Sequence, residues 1–272
     1  MHHTQDQGVS EAVGFIIIFS MVVIGIGLVS LYGYPVLAQQ QTQADVRNME
    51  QTLIVLQNDI KSLCYKNVPY KETSLKVGGG SLTLYNKSLT AQAFGIYYDN
   101  ITGNLTIDAV IEDFHPGMLK YDADSSDAVI ALENGGVMIR QELQQGSSMK
   151  AEPRWFFDST TKTLVVYLIG LESDVLLSQT GIGVIKLEHN VSGDRFYEYP
   201  IPAGLQPPGT TVYVNYTADP DTSFDTAWNN YLTSSVGMTK APITYNGKDY
   251  TYKLDGVEKI VVKEYSIKVL SL

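Results

Sequence analysis

The side chains able to do chemistry are few and scattered. Four histidines occur, His2, His3, His115 and His189. The last two stand far apart and lack the spacing of zinc ligands. Two acidic runs, Asp122-Ala123-Asp124-Ser125-Ser126-Asp127 and Asp219-Pro220-Asp221-Thr222-Ser223-Phe224-Asp225, place oxygens at alternate positions. They lack the Gly and the distal Glu of a calcium-binding EF-hand loop, and read as solvated acidic turns. Gly78-Gly79-Gly80 lacks the Lys and Ser/Thr of a phosphate-cradling loop and reads as a turn. No GxSxG, HExxH or CxxC pattern occurs. Cys64 is the only cysteine, which excludes an internal disulfide. With only Lys61 and Lys66 as basic neighbours, it reads as a small apolar residue at a helix end. The sequence therefore predicts no catalytic residue, no metal site and no cofactor.

A different kind of chemistry is written in five Asn-x-Ser/Thr acceptor sequences, at Asn86, Asn100, Asn104, Asn190 and Asn215. They are glycosylation candidates and lean toward surface loops on the extracytoplasmic side of a membrane. The formal charge is −10 over 272 residues. Only Asp6 and Glu11 precede Asp45, so the chain beyond carries −8. That balance argues against nucleic acid, which is bound through basic patches.

The element that must position all of this is apolar. From Ala12 to Ala38 no side chain is charged. Val13 to Leu37 is 25 residues, about 37 Å of helix at roughly 1.5 Å per residue. That crosses a hydrocarbon core of about 30 Å with room to tilt, so membrane lipid is the expected partner. A cleaved secretory signal has a shorter apolar run followed by small residues, whereas here Gln39-Gln40-Gln41 follows. Glu11 sits at the edge of the run. Ser10 can cap the helix there, with Glu11 meeting the positive end of its dipole. Equally, a carboxylate beside lipid becomes tolerable when it pairs with a cation on a neighbouring subunit. Gly25, Gly27, Gly33 and Pro35 disfavour an unbroken helix, and a bend is expected near Pro35.

Gly8-Val9-Ser10-Glu11-Ala12-Val13-Gly14-Phe15-Ile16 resembles the start of archaeal type IV pilin-like proteins. The resemblance covers roughly the first 40 residues. It implies a prepilin peptidase as partner, cutting between Gly8 and Val9 on the cytoplasmic side and leaving the apolar segment on the mature chain. It also implies an assembly role for Glu11, pairing with the new α-amine of Val9 in another pilin-like subunit. The Lys or Arg usual before the cut is replaced by Gln7. The implied location is the cell membrane, single-pass, with a short cytoplasmic N-terminus, an extracellular head and, through assembly, a surface filament. The rival is a non-polymerising, membrane-anchored surface binding protein.

Past the glutamines, Val46, Met49, Leu53, Leu56, Ile60 and Leu63 fall at spacings of three and four. This predicts an amphipathic helix ending before Pro69. The stripe serves a coiled-coil contact between subunits or a seat for the head, and its short, wide form favours the seat. From Thr73 the period becomes two. Strands are expected at Ser74–Val77 and Ser81–Tyr85 as a hairpin about the three glycines, then at 93–98, 104–112, 128–133 and 137–143. Gln144 to Glu152 reads as a polar connection, and Gln144 to Pro153 as the stretch at which the head would subdivide. Thr163–Ile169 is continuously apolar, as in a central strand buried on both faces. Further strands are read at 182–190, 195–199 and 211–216. Phe224, Trp228, Tyr231 and Leu232 predict a short helix capped near Thr222 or Ser223. Tyr245-Asn246-Gly247-Lys248 predicts a hairpin, and Val257–Leu270 a closing strand. The class is thus α+β: residues 1–8 a leader, 9–68 a long helix with a membrane-spanning first half and an amphipathic second half, and 69–272 a mainly antiparallel, β-sandwich-like head.

Overall fold

A computed structural model of the chain describes residues 5–66, 68–88, 90–100, 106–141, 146–200, 210–220, 224–245 and 248–272. Two compact units divide it, residues 1–44 and 45–272. Helix α1 (Gln5–Leu28) passes through a widened π turn, Val29–Gly33, into helix α2 (Tyr34–Lys66). The π turn answers Pro35. Proline has no N–H to give and its ring collides with the carbonyl four residues back. The backbone accommodates it by slipping one residue, so that the Tyr34 N–H donates to the Val29 carbonyl.

The rest is β structure. In chain order the strands are β1 (Tyr70–Tyr85), β2 (Ala93–Asn100), β3 (Thr106–Phe114), β4 (Met118–Ala123), β5 (Ala128–Glu133), β6 (Gly136–Gln141), β7 (Ser147–Ala151) and β8 (Trp155–Asp158). They continue with β9 (Thr163–Glu172), β10 (Leu177–His189), β11 (Arg195–Pro200) and β12 (Thr210–Thr217). Helix α3 (Asp225–Asn230) precedes β13 (Thr239–Tyr245), β14 (Lys248–Val257) and β15 (Lys259–Ser271). One sheet has the order β7-β6-β5-β4-β1-β10-β15-β9-β8, with β11 also on β15. A second has the order β13-β14-β12-β2-β3. All pairings are antiparallel except β9 with β15.

The large sheet packs on both faces, less completely on the helix side of β8 and β11, where Phe156 and Phe196 stay exposed. One face meets α2: Val46, Met49, Leu53, Leu56, Ile60 and Leu63 pack with Leu75, Tyr121, Ile130, Leu187 and Ile267. The other face meets the second sheet and α3, through residues such as Leu164, Val166, Val262, Phe94, Val212 and Trp228. Side chains alternate between the two cores along one strand. Leu164, Val166 and Leu168 of β9 point to the sheet–sheet core, Ile169 and Leu171 to the helix side. This is why Thr163–Ile169 reads as unbroken apolar sequence. Strands β7 and β8 sit at opposite ends of the sheet order, yet only three residues join them. The sheet must therefore curl, and α2 holds the closure. The Gln57 amide donates to the carbonyls of Gly135 (2.6 Å), in the β5–β6 turn, and Glu152 (2.9 Å), in the β7–β8 link.

Several expectations are corrected. The three glycines do not turn a hairpin. β1 runs straight through them, pairing with β10 before the glycines (Val77 opposite Gly181) and after them (Leu82 opposite Gln179), with a register shift between. They form a bulge: Gly79 has φ +57°, and a Cβ on Gly80 would lie 2.2 Å from the Asp122 carbonyl. Residues 147–151, within the expected polar connection, form strand β7 on β6, and nothing divides the head there. Strand β4 is additional to the sequence reading. The closing segment is one strand as expected, β15, starting at Lys259, while Val257 ends β14. Helix α3 starts at Asp225 after Phe224, whose side chain makes no capping hydrogen bond, while Thr222 and Ser223 lie outside the described residues. Asn246 and Gly247 also lie outside them, but Tyr245 pairs with Lys248 as a hairpin requires.

Candidate membrane and assembly segment

The helical stretch from Ala12 is long and apolar enough to cross a membrane, and none of its most apolar window is buried. From Phe15 to Leu37 the large apolar side chains stay exposed all round, Phe15 at 70 % and Tyr34 at 73 %. Soluble proteins rarely leave contiguous apolar surface of this extent in water. A helix satisfies its own backbone hydrogen bonds, so lipid is a solvent in which this segment is stable. Gly8, Val9 and Glu11 all lie within α1. Their side chains are outside the described residues.

The same helical run changes partner beyond the glutamines. In residues 45–66 the stripe residues are buried to 6 % exposure or less, against the large sheet. Of the two uses open to the stripe, the structure shows the seat for the head. Gln57, which closes the curled sheet, is the residue that sequence reading missed. Its signal was a polar side chain set directly beside Leu56 on the apolar face. Cys64 is buried, and burial pushes its thiol pKa well up, with the Asp194 charge adding to that effect. It is therefore inert as a nucleophile.

The acceptor asparagines divide. The Asn86 amide nitrogen donates to the Ser173 carbonyl at 2.7 Å, and that of Asn190 to the Glu172 carboxylate at 2.9 Å. Asn215, in the middle of the second sheet, accepts from the Thr251 N–H. Asn100 ends β2, its side chain not described, and Asn104 lies outside the described residues. Glu172 gathers several elements: it takes bonds from Asn190, from the Ser266 hydroxyl at 2.7 Å and from the Lys87 ammonium at 2.5 Å. Partial burial alone would raise its pKa, but these donors hold it down at about 2.

Among the described residues no group of three or more His, Cys, Asp or Glu side chains could hold a metal ion. His189 bonds Asp194 at 2.9 Å, and His115 bonds the Gln92 carbonyl at 2.9 Å, so the structure does not bring the two together. Asp122 pairs with Lys120 at 3.1 Å, and Asp221 lies outside the described residues. Glu133 is different. It is buried between the sheets, 1 % exposed, with no cation beside it among the described residues. Trp228 Nε1 and the Gln92 amide donate to its two oxygens at 3.1 and 3.4 Å. Burial, with the Asp219 charge adding to it, pushes its pKa up to about 8, against hydrogen bonds from Trp228 and Tyr216.

Residues 7–270 match the model of a family of unknown function (DUF7289). No curated protein and no solved structure matches the chain.

Proposed function

This chain belongs to the DUF7289 family, and we propose that it is a pilin-like subunit, held in the membrane by residues 12–38 and able to enter a surface filament through that helix. One observation carries the reading. A single helical run is exposed and apolar around its whole circumference at one end, and at the other is locked by one face into a β head. Residues 12–38 bury none of their large apolar side chains, so their proposed partners are external, lipid before assembly and other apolar helices after it. The likeness of Gly8–Ile16 to pilin-like N-termini adds the processing step: cleavage after Gly8, with Glu11 then pairing with the α-amine of Val9 on a neighbour. The π turn before Pro35 marks a place where the helix can change its winding when lipid is exchanged for protein. The role is structural or adhesive, with the head outside the cell and no catalysis.

Immunogold electron microscopy of cells expressing the full chain tests this. Labelled fibres support a filament subunit. Label scattered over the envelope, with no fibres, favours the anchored binding protein that does not polymerise.

A further inference from the structure

Next to Tyr65, at the end of α2, the helix-side face of the large sheet is only partly covered: Tyr167 is buried beneath the Tyr65 ring, while Val165 and Val261 are half-buried and Phe156 is exposed. Register places Phe156, Val165 and Val261 in one row across β8, β9 and β15. The next row holds Tyr167, Lys263 and Phe196 on β9, β15 and β11. Partner residues in a ladder share a face. Phe156 and Phe196 are exposed, at 41 % and 59 %. They bound the face on its outer strands, about 16 Å apart, three spacings of roughly 4.8 Å between strands and one row of roughly 6.8 Å along them.

Two cations on this face lie against aromatic rings, and the face also carries the Lys259–Glu198 ion pair. Arg154 lies 4.8 Å from the Tyr167 ring centre and 5.0 Å from that of Tyr65. Lys263 lies 5.6 Å from the Tyr167 ring centre and 5.7 Å from that of Phe196. Neither makes an ion pair with a carboxylate among the described residues. The nearby Glu198 is taken by Lys259. In a chain of net charge −10, most acidic surface would repel an anion. Here two positive charges, the exposed Arg154 and the half-buried Lys263, are held against aromatic rings without a carboxylate partner.

The geometry points to this face as a binding site for an acidic polysaccharide: its sugar rings lie over the Phe156 and Phe196 rings and its carboxylate or sulfate groups on Arg154 and Lys263. Charge complementarity selects an anion, and two exposed phenyl rings on one sheet face suit sugar rings stacked in succession. The site belongs to the head alone and holds whether or not the subunit polymerises, so its failure leaves the anchoring and filament reading standing.

The test uses the purified full chain in detergent micelles, titrated calorimetrically with polygalacturonate, heparin, dextran and polyglutamate. Binding to polygalacturonate or heparin is expected, weakening with salt, with none to dextran. Phe196→Ala and the double change Arg154→Gln/Lys263→Gln should each weaken it about tenfold or more, with the near-UV circular dichroism of the parent retained. Heat from neither acidic polysaccharide overturns the proposal. So does binding that these variants leave unchanged, or polyglutamate bound as tightly, which would identify an acidic protein as the occupant.

Discussion

The buried Glu133 makes the sharpest thermodynamic prediction. Its carboxyl is buried, with hydrogen bonds from Trp228, Gln92 and Tyr216 and no cation beside it among the described residues, so the folded protein favours the protonated form and its pKa is pushed up to about 8 from 4.5. Between those values the native state binds a proton that the unfolded chain has released. Stability from this group is therefore complete below about pH 4.5, falls as pH rises, and levels off above about pH 8. At about 1.4 kcal/mol per pKa unit the whole decline is roughly 5 kcal/mol at most. Glu133→Gln removes the proton but keeps the shape. Its amide oxygen still accepts from Trp228 Nε1, and once the Gln92 amide turns over, its amide nitrogen donates to Gln92 Oε1, which otherwise has no partner. Guanidinium unfolding of full-length protein in micelles, followed by the fluorescence of the buried Trp155 and Trp228, reads the difference between the two proteins from pH 5 to 9. Near pH 5 the curves should agree within about 1 kcal/mol, and by pH 8.5 the variant should be more stable by about 3 to 5 kcal/mol. Parallel pH profiles would refute the assignment, because the other titrating groups are common to both.

Leu53→Ala opens a cavity between α2 and the sheet at a fully buried position, and should cost about 2 to 5 kcal/mol of head stability by the same unfolding assay. Gly80→Ala sets a methyl against the Asp122 carbonyl. It should destabilise the head by more than Gly181→Ala, where φ is +74° but the space is open, a comparison that thermal melts decide. Asn86 and Asn190 should carry no sugar in the folded protein, since their amide nitrogens are donors inside the head; glycopeptide mass spectrometry reads this. Glu11→Ala should leave membrane insertion intact and lower the share of protein in sheared filaments, and an unchanged filament yield removes Glu11 from assembly.

What was legible in the sequence depended on how local the cause was. The stripe from Val46 to Leu63 is a matter of helical period, and every member of it is buried. Phe224, Trp228, Tyr231 and Leu232 likewise announced their buried face by spacing. The glycine run misled because a turn and a bulge use the same residue. Only the distant β10, lying alongside both halves of β1, decides between them. Strand β7 was opaque for a related reason. Ser147–Ala151 carries no apolar alternation, and its order comes from ladder bonds to β6 at the edge of the sheet. The long apolar helix needed nothing but length and the absence of charge. The platform around Tyr167, and Glu133 beneath Trp228, are products of register and of sheet-on-sheet packing, which no local pattern encodes.

The central claim is that residues 12–38 are the membrane and assembly helix of a processed subunit. Mass spectrometry of the N-terminal peptide, from protein purified out of native membranes with an active peptidase, tests it most directly. A peptide beginning at Val9 is the predicted result. One that still carries Met1 to Gly8 contradicts processing at Gly8, and with it the pilin-like reading.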